Sequence, residues 1–223
     1  NFTYNAIDVA ADGAWMVQLV DVDGDLDMDV VAANWFADEV AFYENDGAVN
    51  PVFTKQVVSS TTSGASSVYA DDIDGDGDID ILASSFFNDS FSLFTNDGSE
   101  TFSEQVLTTD ADGARQAIMA DVDGDGDQDI IGAASNSGEF LWFENDGAAT
   151  PTFDQYMISD GNAGPLAVAV DYLDNDGARD VVTAVFNDEA IVVHENESGQ
   201  LAAVTTSEDT ALIFNTANSN LIW

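Results

Sequence analysis

Between residues 121 and 129 an aspartate stands at every second position, in "DVDGDGDQD", and the chain then turns apolar in "IIGAAS". Carboxylates this close repel one another unless a cation sits among them. With glycine allowing a tight turn, the aspartates at the first, third, fifth and ninth positions converge on one point. A hard divalent ion taking about six to eight oxygens, backbone carbonyls and water included, suits such a point. Magnesium demands stricter octahedral geometry, and transition metals usually recruit histidine or cysteine. The chain has no cysteine, and its one histidine, His194, lies outside every acidic loop. Calcium is the ion this pattern predicts.

The stretch recurs as "DVDGDLDMD" from Asp21, as "DIDGDGDID" from Asp72, and in altered form as "DYLDNDGARD" from Asp171. With Tyr172 as the register equivalent of the first aspartate, the spacings are 51, 49 and 51 residues. An EF-hand loop opens in the same way but ends on a glutamate at its twelfth position, between helices. Here the twelfth positions are Ala32, Ala83 and Gly132, and the flanks are rich in valine and isoleucine. That excludes an EF-hand. A merely solvated acidic face would not return in phase.

Other features keep the same period and show what positions the loops. Nineteen residues before each loop a strand-like segment opens on Phe2, Phe53, Phe102 or Phe153. A small-residue step follows at Gly13-Ala14, Gly64-Ala65, Gly113-Ala114 and Gly164-Pro165. After each loop come an apolar run and an aromatic strand ending in a turn: "FYENDG", "LFTNDG", "WFENDG" and a degraded "VHENES". Asn-Gly and Asp-Gly pairs between strand-like runs predict hairpins. Four short antiparallel strands in about 50 residues match one blade of a β-propeller. A β-sandwich or solenoid would use the same strands, but a sandwich does not call for so strict a period.

These residues resemble the FG-GAP/VCBS-type repeats, which are related to the N-terminal propeller of integrin α chains. The resemblance covers residues 1 to about 196, and the D-x-D-G-D-G-D-x-D loop is its specific part. It implies calcium loops between the first two strands of each blade. Side-chain ligands would then be Asp21, Asp23, Asp25 and Asp29, then Asp72, Asp74, Asp76 and Asp80, then Asp121, Asp123, Asp125 and Asp129. It further implies that Asp27, Asp78 and Asp127 offer backbone carbonyls and keep their side chains for solvent or supporting roles. Two departures stand out. Leu26 replaces the glycine found at Gly77 and Gly126, which strains the first loop or turns it differently. The fourth loop has Tyr172 first, with Asp171 one residue earlier; Asp174, Asp176, Asp180 and Gly177 remain, so weaker calcium binding is expected there.

Composition narrows the function. The chain is 45% hydrophobic over 223 residues, enough for a folded core, yet carries 43 acidic against 3 basic residues, a formal charge of -40. That argues against nucleic acid and anionic membranes as partners. No apolar run is long enough to span a bilayer, and the strand-like opening "NFTYNAIDV" suggests a processed mature form. Neither a catalytic triad nor a cysteine nucleophile is marked, so no enzyme is expected. Sequons at Asn1, Asn88 and Asn196 permit glycosylation, and scarce cytosolic calcium favours a secreted or cell-surface setting. The expected function is a non-catalytic, calcium-stabilised structural or adhesive protein that binds itself, glycans or other surface proteins. The alternative is a lectin-like propeller or an accessory module of a secreted polysaccharide-degrading enzyme. Trp35, Phe86, Phe87, Trp142 and Phe186 suit sugar stacking, although their phased places near strand ends favour packing between blades.

Counting strands predicts an all-β, four-bladed propeller over residues 1–196, with "FTYNAI" pairing into the last blade to close the ring. Residues 197–223 are then a strand-prone tail, and if "LAAVTT" completes the last blade instead, "FTYNAI" is left over. A surplus strand is a template for a neighbouring chain, which predicts a homo-oligomer or polymer. An open arc with exposed blade edges would instead point to part of a larger ring.

Overall fold

A computed structural model describes residues 4–196 of the chain. These residues form four antiparallel sheets, and no helix occurs among them. The first sheet orders β1 (Ala14–Val20), β2 (Asp29–Asn34), β3 (Glu39–Asn45) and β4 (Phe53–Ser59) as a meander. The second repeats it with β5 (Ala65–Asp71), β6 (Asp80–Ser85), β7 (Ser90–Asn96) and β8 (Phe102–Thr108). The third has β9 (Ala114–Ala120), β10 (Asp129–Ala134), β11 (Glu139–Asn145) and β12 (Phe153–Ser159). The fourth holds three strands among the described residues, β13 (Pro165–Asp171), β14 (Asp180–Val185) and β15 (Ala190–His194).

The meander follows from the turn chemistry. Each second strand turns into the third through a residue held in the left-handed region, Asp38, Asp89, Gly138 or Glu189. In the first three sheets the third strand leaves through an Asn-Asp-Gly turn in which the aspartate side chain accepts later amides, as Asp46 does from Ala48 and Val52. The acidic loops join the first strand of every sheet to the second.

Innermost strands pack in series: β1 against β5, β5 against β9, and β9 against β13. Most of the core lies in three apolar slabs between neighbouring sheets, and a smaller buried cluster of Ala32, Ala41 and Tyr43 sits on the outward face of the first sheet. Val22, Val31 and Phe42 meet Val68, Ala70 and Phe94 in the first slab. Ile73, Phe91 and Leu93 meet Ala117, Met119 and Phe143 in the second. Val122, Phe140 and Trp142 meet Val168 and Val181 in the third. Polar clamps tie the joints: the Asp38 carboxylate accepts the Gly64 amide at 2.8 Å and Asp89 accepts that of Gly113 at 2.9 Å. The small-residue step is thus where one sheet grips the next.

The expected closure by "FTYNAI" is not formed by its described residues. Tyr4–Ile7 are not in a strand, and no fourth strand lies beside β15 among the described residues. The cause is a long-range tether. Asp8 accepts the Tyr43 hydroxyl at 3.0 Å and lies 3.7 Å from the Lys55 ammonium, which draws this segment to the first sheet. "LAAVTT" and the rest of 197–223 lie outside the described residues. Among the described residues the four sheets do not close into a ring.

Candidate metal centres

Every acidic loop begins where an innermost strand ends, so the four sit at the same end of their sheets. Local geometry is set by aspartates turning back on the backbone. In the third loop Asp123 Oδ1 accepts the Asp125 amide at 3.1 Å, and Asp125 Oδ1 accepts that of Asp127 at 3.0 Å. The same pair of bonds recurs at Asp23 and Asp25, and at Asp74 and Asp76. The sixth position needs a left-handed backbone, with φ of 97° at Gly77, 105° at Gly126 and 90° at Gly177. Leu26 adopts it too, at 78°. The first loop is therefore turned like the others and bears the strain of a side chain there.

Three loops gather carboxylates closely enough for one ion. Oxygens of Asp21, Asp23 and Asp29, of Asp72, Asp74 and Asp80, and of Asp121, Asp123 and Asp125 lie mutually within 4.8 Å. The fourth loop shows no such group among the described residues. There Asp171 ends β13 and accepts the Tyr172 amide, while Asp174 and Asp176 accept the amides of Asp176 and Ala178. Arg179 lies over the Tyr172 ring, 5.4 Å from its centroid. A guanidinium on an aromatic ring thus occupies the loop that lacks the first carboxylate.

The ninth aspartates do something the sequence reading missed. Asp129 Oδ2 accepts the Val122 amide at 3.0 Å and Oδ1 accepts that of Asn145 at 2.9 Å. Asp29, Asp80 and Asp180 make the equivalent pairs. Each buried carboxylate therefore staples its loop to the turn after the third strand. A signal was present: every ninth aspartate stands 16 residues before the asparagine of that turn. Asp27, Asp78 and Asp127 point their carboxylates at the turn glycines Gly47, Gly98 and Gly147, where any Cβ would collide with them. Their side chains are turned away from the loop centre.

Electrostatics fit a cation. Burial pushes the Asp80 and Asp129 carboxyls up to about 6, although two amides donate to each. Burial also raises Asp23, Asp74 and Asp123, with neighbouring carboxylates adding to the effect. Asp21 Oδ1 is buried with no hydrogen-bond partner. An orphaned carboxylate oxygen inside a cluster of carboxylates is what a bound ion would satisfy. The donors are all oxygen, which matches calcium.

His194 is no ligand. It is buried, with Nε2 3.1 Å from Thr183 Oγ1, and burial lowers its pKa. Among the aromatic residues, Trp142 packs into the third slab as expected. Phe87 and Phe186 are exposed, however, because they follow the ends of β6 and β14 and project beyond the slabs.

A family model described as an FG-GAP-like repeat matches residues 21–83, 72–132 and 121–183. No curated protein sequence matches the chain. Among solved structures it is similar to a lectin of Agrocybe aegerita, described for specific recognition of non-reducing terminal N-acetylglucosamine. That match has a TM-score of 0.53 at 20% identity, covering 77% of this chain and 47% of the lectin. A protein from Lactobacillus plantarum matches with a TM-score of 0.51 at 15% identity, covering 82% of this chain and 56% of its own. The chain thus spans about half the length of either neighbour. Both likenesses concern the fold, which is propeller-like.

Proposed function

The chain belongs to the FG-GAP-like repeat family, and from that premise we propose that it is a calcium-stabilised, non-catalytic propeller protein of the cell exterior, adhesive or self-assembling. The observation that carries this reading is the carboxylate cluster placed at the same point of three successive repeats. Calcium would be held by Asp21, Asp23 and Asp29, by Asp72, Asp74 and Asp80, and by Asp121, Asp123 and Asp125. It would supply the positive charge that lets these carboxylates stay ionised side by side. The chain's own part is to hold them there, through the turn-forming hydrogen bonds and the stapling ninth aspartate. The four sheets act as four blades, and the ions fasten the loop end of the first three. An exterior setting follows from the need for calcium plentiful enough to fill such loops.

The test is melting followed by calorimetric titration. Chelator should lower the melting temperature by many degrees, calcium should restore it, and magnesium should not, since binding to the native state alone stabilises it. An unchanged melting curve in excess chelator would reject the metal reading.

A second reading has its own observation. Trp15, Trp35, Phe86 and Phe87 form a continuous group of rings, with centroids 5.0 to 5.3 Å apart. The Arg115 guanidinium lies over Trp15, Trp35 and Phe86. Trp15 and Phe87 are exposed. Such a surface suits the C–H faces of a sugar, and the lectin's recognition of N-acetylglucosamine points the same way. A glycan array distinguishes the two readings: saturable binding lost in Trp35→Ala supports the lectin, and no binding to any glycan rejects it.

A further inference from the structure

Every sheet has two faces, and their residues can be compared position by position. One face carries Val17, Val68, Ala117 and Val168 in equivalent places of the four repeats, with Leu19, Ala70, Met119 and Val170 beside them. In the second, third and fourth sheets this face packs on the sheet before it. Val68 is 0% exposed there, whereas Val17 is 60% and Leu19 65% exposed; Ala32, Ala41 and Tyr43 on the same face of the first sheet are buried, so its open part is the β1 side. The opposite face carries Val40, Phe91, Phe140 and Ile191, then Phe42, Leu93, Trp142 and Val193. In the first three sheets it packs on the sheet that follows. Phe140 is 0% exposed, whereas Ile191 is 80% exposed. The second loop position behaves alike: Val22, Ile73 and Val122 are buried and Leu173 is 52% exposed. The arc therefore presents, at its two ends, the two halves of a joint that it already makes three times internally.

The polar clamp of that joint is half-present at each end. Asp38 and Asp89 hold Gly64 and Gly113 across internal joints. Glu189 occupies the equivalent left-handed position in the fourth sheet, and Gly13 the equivalent step before the first. Ala167 and Ala169 stand where Gln116 and Gln18 bond the following strand in internal joints, so the remaining contact would be apolar.

We propose that a second copy of this chain covers both faces, the fourth sheet of each copy packing on the first sheet of the other, so that two copies close an eight-bladed ring. This rests on the self-assembling part of the reading above and uses the blade faces; it does not depend on which ion fills the loops. Three features select the occupant. The bare faces are complementary to each other and not to themselves, so the contact is heterologous, and such contacts end only by closing into a ring. Eight blades lie within the range of about four to eight that propellers adopt. The matched part of one copy covers 47% or 56% of either structural neighbour, so two such parts account for about the whole length of each.

Sedimentation in calcium tests this on the full chain. The wild type should run at twice 23.6 kDa. Val17→Glu with Leu19→Glu spoils one face, and Ile191→Glu with Val193→Glu spoils the other. Each variant alone should be a single chain, its association weakened by about a hundredfold or more, because the joint would bury unpaired charge. An equimolar mixture should regain a two-chain species through the one joint left intact. Melting curves in calcium confirm that each variant folds. A wild type that stays single at its highest soluble concentration overturns the proposal, as does an open-ended series of larger species. If it stays single while calcium still raises its melting temperature, the ring falls and the metal reading stands. Two-chain species in both variants alone would also overturn it.

Discussion

The third and fourth loops fold alike and differ in what they can hold. Both pin the ninth aspartate between the loop's second amide and the asparagine amide of the neighbouring turn. Both turn their third and fifth aspartates back onto the amides two residues on. Yet the third gathers Asp121, Asp123 and Asp125 for an ion, and the fourth sets Arg179 on Tyr172. The backbone shape of such a loop is therefore satisfied by its own hydrogen bonds. Gathering three carboxylates is a separate property, and the loop that begins on Tyr172 lacks it among the described residues.

The sharpest way to break this comparison is at the ninth position. Asp129→Ala and Asp180→Ala should each destabilise by about 2–5 kcal/mol, because two buried amides lose their acceptor. Denaturant unfolding in saturating calcium measures it. A Asp180→Ala variant as stable as wild type would show that the staple is not structural.

Acidity separates the loops next. In calcium-free protein the Asp129 and Asp80 carboxyls have pKa values raised to about 6 from 3.8. A raised carboxyl favours the folded state while protonated. Its contribution is whole below the unfolded value and is lost as pH rises through about 6, on the order of a few kcal/mol in all. Chelated protein should therefore melt lower at pH 7 than at pH 4.5, and calcium should close the gap. Identical calcium-free curves at the two pH values would remove the burial effect.

Within the metal reading, Asp123→Ala should cost about 2–3 kcal/mol in calcium and little in chelator, as expected for ligand well above its dissociation constant. Asp127→Ala should cost less, because its carboxylate faces Gly147. Asp174→Ala in the fourth loop should show no calcium-dependent change. The smallest effect belongs to Leu26→Gly, which relieves a left-handed leucine and should raise stability by roughly 1 kcal/mol. A variant that melts below wild type would mean Leu26 is not strained.

Much of this was legible in residue types and spacing. The period, the meander and the three carboxylate clusters follow from "DxDGD" loops, Asn-Asp-Gly turns and alternating apolar runs, all of them local patterns. What escaped depends on contacts between distant segments. The tether of Asp8 to Tyr43 and Lys55 spans more than 30 residues and overrode the strand-like look of "FTYNAI". Arg179 stacking on Tyr172 joins the ends of one loop; Tyr172 stands out in the sequence as a missing ligand, but Arg179 belongs to no metal pattern and so its stacking did not. The bare faces of the first and fourth sheets could not be read at all, because whether sheets meet depends on their curvature.

Adjacent loops are also laced together. The Asn145 amide group donates to the Ile73 carbonyl of the second loop, while its backbone is held by Asp129 of the third. Asn196 repeats this between the third loop and Asp180 of the fourth. The second and third loops are thus each fastened to the turn of the next sheet along the chain, in one direction and between nearest neighbours. Such a molecule behaves as a short one-dimensional array, in which a break at one unit weakens the next before any further one. Pulled from its carboxyl end, it should come apart as a zipper does, one sheet per step.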